Sequence, residues 1–350
     1  MRDYDHIISA IRSLECGAEP STDITDMLIE HGCLYLLSKC IYLGKCYYDN
    51  SLINQKMQFV NEYFSACNRV FGKMQDMVYA LVKGAALSKR AYGETYYRNF
   101  GDIDLLIERK NSNEVKNILL EDGFIQGKVI DGRIKPFTRE EIIFQSSQSH
   151  QTAPFVKELK NSVVDHVNID LNYDIYWGEI NPRADMSDFL NDTKIENING
   201  VNFKGLNKEL DFIFLCLHHY KHLNSIYLIT EGSINLSLFC DIYYYLKNNK
   251  LDIDTLLAYA KSINAENYIY YCAYYTAKIF GESLISDVME AFYSDEGSRL
   301  VDCYGLNDKE RKKWNVGFNE RLFKDDFPQK FYDSLDDEVK RKVLLNRQNM

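Results

Sequence analysis

Over the first 75 residues, apolar positions recur at helical spacing. Asp23-Ile24-Thr25-Asp26 offers capping groups ahead of Met27, Leu28 and Ile29, and Met57, Val60, Phe64, Val70, Phe71 and Met74 form a stripe between Gln55 and Val78. The period then changes. Val78-Tyr79-Ala80-Leu81-Val82 is a short apolar run of strand type that stops at Lys83-Gly84, and Ala85 to Arg90 follows with helix formers until Gly93 closes it. Asp102 to Ile107 reads as a buried strand, Ser112 to Asp122 as a polar helix and Gly123-Phe124-Ile125 as a return into strand. After a polar stretch from Gln145 to Ala153, Val167 to Tyr173 is a second clear strand. Beyond about residue 205 the helical period returns, first in a segment from Asn207 that is apolar nearly all round, then near 236–248, 254–278 and 283–293. A charged tail starts at Asn307, and its basic run 309–313 reads as a solvated helix face.

Charge narrows the partners. Lys and Arg number 41 against 51 Asp and Glu, a net charge of −10 and a pI near 5.3. A protein that coats a polyanion needs the opposite balance, so nucleic acid is not the expected partner. Nine cysteines without a C-x-x-C spacing, scattered through apolar segments, read as reduced thiols of a cytoplasmic protein. The 26 tyrosines read as packing residues with a polar tip. No run approaches the ~20 apolar residues of a membrane span, and the first residues lack a signal-peptide core.

The chemistry gathers between residues 78 and 173. Side chains alternate along a strand, so Asp102 and Asp104 share a face while Ile103 and Leu105 point into the core, and Asp170 is opposed in the same way to Ile169 and Leu171. If the two strands are neighbours, three carboxylates converge. Like charges ~4 Å apart repel by about 4 kcal/mol at an effective dielectric of ~20, so such a trio calls for a cation. A set of hard oxygens without His or Cys suits Mg²⁺ or Mn²⁺, and two such ions would clamp both oxygens of a phosphoryl displacement. Upstream, a strand ending at Lys83-Gly84 and turning into a helix presents free backbone N–H groups to an anion. Gly84 permits close approach of a phosphate, Lys83 adds a point charge, and Ser88 lies one turn into the helix, in place to hydrogen-bond the same anion.

The runs Val82-Lys83-Gly84-Ala85-Ala86-Leu87 and Arg98-Asn99-Phe100-Gly101-Asp102-Ile103-Asp104-Leu105-Leu106-Ile107 resemble the DNA polymerase beta-like nucleotidyltransferase superfamily. More closely, they resemble its bacterial branch of uncharacterised nucleotidyltransferases, often found beside peptide natural-product genes. That branch has a Lys-Gly turn, an Arg shortly before Gly-Asp-hydrophobic-Asp, and a later strand carboxylate, matched here by Asp170. It often has a His two residues further on, where this chain has Asn172. The resemblance spans roughly residues 78–245. It implies an α+β fold in which a small mixed β-sheet core packed with helices, residues 76–200, is flanked by an N-terminal helical region, 1–75, and a C-terminal helical domain, 201–350. It further implies that Asp102, Asp104 and Asp170 hold two metal ions, with Asp170 also activating the acceptor. Lys83, Gly84 and Ser88 would meet the nucleotide's phosphates, and Arg98 a phosphate or the acceptor.

The expected reaction is metal-dependent transfer of an NMP from an NTP, ATP among them, to a small-molecule or peptide acceptor with release of pyrophosphate. The alternatives are a toxin-like enzyme modifying tRNA or protein, and a non-catalytic nucleotide-binding module. His218, His219 and His222 share a helix, but no Glu stands between them as a zinc-peptidase helix requires. Packing is their favoured role, with His219 and His222 kept as acceptor contacts. His150, in the polar segment Ser146 to Gln151, is a third acceptor candidate.

Overall fold

The structure, a computed structural model, describes residues 4–42, 50–148, 151–160, 163–177 and 185–349. The chain forms two compact units, one of Tyr47–Phe214 with Asn248–Asp252, the other of Met1–Cys46, Leu215–Lys247 and Ile253–Met350. The fold is α+β. Among the described residues, no helix is long and apolar enough to cross a membrane.

The first unit is built on an eight-stranded mixed sheet. Its strands are β1 (Tyr79–Val82), β2 (Ile103–Ile107), β3 (Ile125–Ile130), β4 (Arg133–Pro136), β5 (Phe155–Glu158), β6 (His166–Asn172), β7 (Thr193–Ile198) and β8 (Val201–Leu206), in the order β4-β3-β5-β6-β2-β1-β8-β7. The central strands β1 and β2 are antiparallel, and β2 runs parallel to β6. Every residue of β1 and β2 is buried, so both faces of the sheet centre are covered, which is why these strands are apolar on both faces except at Asp104. One face carries Tyr79, Leu81, Ile103, Leu105, Ile107, Ile169 and Leu171 into the core, where the helix Asn50–Lys73 lays Val60, Phe64, Val70 and Phe71 on them. Of the expected helical stripe only Met57 stands exposed. Each such buried side chain contributes roughly 1.5–3 kcal/mol. By alternation the opposite face receives Val82, Asp104, Asp170 and Asn172.

The second unit is helical. The helix Glu266–Phe280 buries Tyr270, Tyr271 and Tyr275, and Tyr220 packs its ring on Tyr268 and Tyr271 at centroid distances of 4.5 and 5.0 Å, the core role expected of the tyrosines. Two sequence expectations fail here. The single helix over 254–278 is broken into Ile253–Ile263 and Glu266–Phe280, with Asn264 between them at φ 59°. Asn tolerates this left-handed turn better than most residues. In the basic run, Lys312–Lys313 is not helical but a short strand paired antiparallel with Cys303–Tyr304.

Candidate active site

The parallel register of β2 and β6 pairs Asp104 directly with Asp170. Asp102 lies one residue ahead of β2 on the same face. One carboxylate oxygen from each of Asp102, Asp104 and Asp170 lies within 4.8 Å of the others. The convergence expected from alternation is therefore present. Asp104 is 4% exposed and the other two are half-buried.

Local packing fixes the approach to β2. The Tyr63 hydroxyl, from the Asn50–Lys73 helix, donates to the Gly101 carbonyl at 2.7 Å and accepts from the Asn168 N–H at 2.7 Å. Phe100 packs against the Phe59 and Tyr63 rings. The same hydroxyl thus ties the residue before Asp102 to the strand carrying Asp170.

Electrostatics follow from the crowding. Burial, then the Asp104 carboxylate, raises the Asp102 pKa to about 6 against the pull of Lys83 and Arg98. Burial, then Asp104 and Asp102, raises Asp170 to about 7, with Lys83 pulling the other way. Asp170 Oδ1 is buried and accepts no hydrogen bond. A buried, unpaired acceptor among three converging carboxylates is costly unless a positive charge joins it. The donor set is all oxygen, so the three residues fit a hard divalent cation.

Lys83 follows β1 and caps the helix Gly84–Tyr92, with Lys83 and Gly84 at φ 58° and 50°. Gly adopts this backbone freely, whereas a Lys held there costs roughly 1–3 kcal/mol. A Cβ on Gly84 would meet Phe100 and the Asp102 carbonyl only at ordinary contact distance, so conformation rather than space demands glycine. The Lys83 side chain turns back to the carboxylates: Nζ lies 2.7 Å from Asp104 Oδ1 and 5.9 Å from the Phe214 ring centre. Asp104 Oδ1 also accepts from Asn172 Nδ2 at 3.1 Å.

Ser88 departs from its expected role. It is fully buried, its Oγ donates to the Glu94 carbonyl at 2.7 Å and accepts from the Arg98 N–H at 3.2 Å. That hydroxyl holds the loop carrying Arg98 and is not presented to a phosphate. Arg98 itself lies close enough to Asp102 to favour its ionised form.

The histidines divide. His219 is fully buried in the helical unit, with Nε2 3.1 Å from Asp241 Oδ2, a packing pair rather than an acceptor contact. His222, half-buried in the same unit, sets its ring 4.5 Å from that of His218. His150 lies outside the described residues.

Sequence reasoning gave no role to Tyr63 or Asn172. Alternation does place Asn172 on the face of Asp170, which is the signal that finds it. Nothing in the spacing ties Tyr63 to Gly101.

A family model described as uncharacterised nucleotidyltransferase matches residues 53–281, more than half of the chain and all of the elements that carry the three carboxylates. No curated protein matches the sequence.

Proposed function

We propose a reaction for a chain that belongs to the family of uncharacterised nucleotidyltransferases: transfer of a nucleoside monophosphate from an NTP to a small-molecule or peptide acceptor, with release of pyrophosphate. The observation that carries it is the carboxylate trio within 4.8 Å beside the Lys83-Gly84 helix start. Strand, Lys-Gly turn, paired aspartates and a third aspartate on the neighbouring strand support a catalytic unit of the DNA polymerase beta-like kind within residues 76–200.

Asp102, Asp104 and Asp170 would hold Mg²⁺ or Mn²⁺, which when bound neutralises charge on the phosphates and on the attacking and leaving oxygens. The helix start at Gly84 and the Lys83 ammonium bind the triphosphate, and Arg98 meets a phosphate from the Asp102 side. An acceptor oxygen attacks the α-phosphorus, the bond to the bridging oxygen breaks, and pyrophosphate leaves with the electron pair. Asp170, whose Oδ1 accepts no other hydrogen bond, takes the acceptor's proton. Positioning and electrostatic stabilisation supply the rate.

The net charge of −10 favours a small or peptide acceptor over tRNA. Cys33, Cys67, Cys216, Cys240 and Cys272 are free and buried, as suits a reducing, cytoplasmic setting. Incubation with each α-labelled NTP, Mg²⁺ and a cell extract tests the reading. Label should enter a low-mass fraction, and Asp102→Ala should lower the rate by about a hundred- to a thousandfold or more. Label in tRNA would contradict the acceptor class, and no transfer from any NTP would contradict the reaction.

A further inference from the structure

We propose that Lys83 is an exchangeable counterion, holding Asp104 while the nucleotide site is empty and moving to the triphosphate when it fills, so that metal loading is coupled to nucleotide binding. The inference rests on the reading that the trio holds a divalent cation.

The geometry is direct. Lys83 Nζ sits 2.7 Å from Asp104 Oδ1, with side-chain exposures of only 16% and 5%. Asn172 donates to the same oxygen. Asp104 Oδ1 therefore already has a full cationic partner and a second donor. An ammonium ion and a divalent cation repel at contact range, so the lysine competes with a metal for Asp104. A metal that engages Asp104 through either oxygen is held more weakly while the lysine stays there.

The backbone shows where the lysine can go. Lys83 is the residue that precedes the Gly84–Tyr92 helix, so its side chain and the helix's positive end start from the same point. A phosphate seated at that end lies within reach of the flexible four-carbon stem. The aspartate grip and the phosphate grip are alternatives for one ammonium group. Nucleotide binding then removes the internal cation and opens Asp104 to the metal in the same event.

Mn²⁺ binding, followed by electron paramagnetic resonance, tests this on the whole chain with Lys83→Met and Lys83→Gly. The glycine variant also relaxes the φ of 58°, so it carries the test should the methionine variant not fold. Without nucleotide, both variants should bind Mn²⁺ at least about tenfold more tightly than the wild type, because an adjacent positive charge is gone. With a non-hydrolysable NTP analogue the order should reverse, the variants holding the Mn²⁺–nucleotide complex about tenfold more weakly. Weaker Mn²⁺ binding by both variants in both states would overturn the counterion role. Equal Mn²⁺ affinity in wild type and variants, abolished in each by Asp102→Asn, would overturn the counterion role and leave the metal site standing. Absence of Mn²⁺ binding in every protein, with and without the analogue, would overturn the metal site and the counterion role together.

Discussion

At the scale of single residues, Asp104 is the most enclosed carboxylate of the trio, and its neighbours show what enclosure demands. Its Oδ1 is served by Lys83 and Asn172. Losing one donor to a buried acceptor costs about 1–3 kcal/mol. Asn172→Ala should therefore lower unfolding stability by about that amount in a urea titration and cut turnover, while Asn172→His, which restores a donor, should recover part of both. Unchanged stability and turnover in Asn172→Ala would show the amide to be idle. Asp102 and Asp170 give a pH dependence with a definite sign. Their pKa values rise from an ordinary 3.8 to about 6 and about 7. The native state thus binds more protons than the unfolded chain between these limits, and stability falls as pH rises. Their contribution is fully present below about pH 4 and is lost as the pH climbs through about 6 and 7. A divalent cation reverses the loss by pairing the ionised forms, so Mg²⁺ should raise the melting temperature over an EDTA control more at pH 8 than at pH 5. An equal shift at both pH values would place the metal elsewhere. The trio was legible because strand alternation and the apolar flanks fix which side chains share a face. Ser88 was misread because its partners are loop backbone groups, Glu94 and Arg98, which helical spacing does not reveal.

At the scale of elements, the helix that begins at Gly84 is anchored by Arg90. Its Nη2 lies 2.6 Å from Glu196 Oε1 on β7 and its Nη1 2.5 Å from Asp211 Oδ1, with the guanidinium nearly enclosed. The group passes over Gly205 on β8, where a Cβ would collide with both the guanidinium and the Glu196 carboxylate. Gly205→Ala should cost about 1–3 kcal/mol by overpacking, read as a lower denaturation midpoint, and would do so without touching Asp102, Asp104 or Asp170. A wild-type midpoint would show that the pair yields freely. Here the sequence held more than was read from it. Asp131-Gly132 and Asn199-Gly200 stand at hairpin turns, both residues of each pair at positive φ, the signature of a two-residue connection. The flanking strands β4 and β7 lie at the sheet edges and carry Arg133, Lys135, Lys194 and Glu196, so the half-buried alternation that marks a strand is weak there.

At the scale of the whole molecule, an acidic protein gathers three of its carboxylates into one small region and offsets them there with Lys83 and Arg98. That arrangement makes sense for a nucleotidyltransferase whose substrate brings both a cation and a polyphosphate. The charge total could be read from composition. The pairing of β2 with β6, on which the site depends, required the fold, because about 60 residues separate the strands and no local rule sets their register. Anomalous diffraction at the manganese edge, from crystals grown with Mn²⁺ and a non-hydrolysable NTP analogue, addresses the site most directly. A manganese peak bridged by Asp102, Asp104 and Asp170, with the triphosphate at the Gly84 helix start, is the expected result. Manganese bound away from these aspartates, or a nucleotide seated elsewhere while they remain bare, would contradict it.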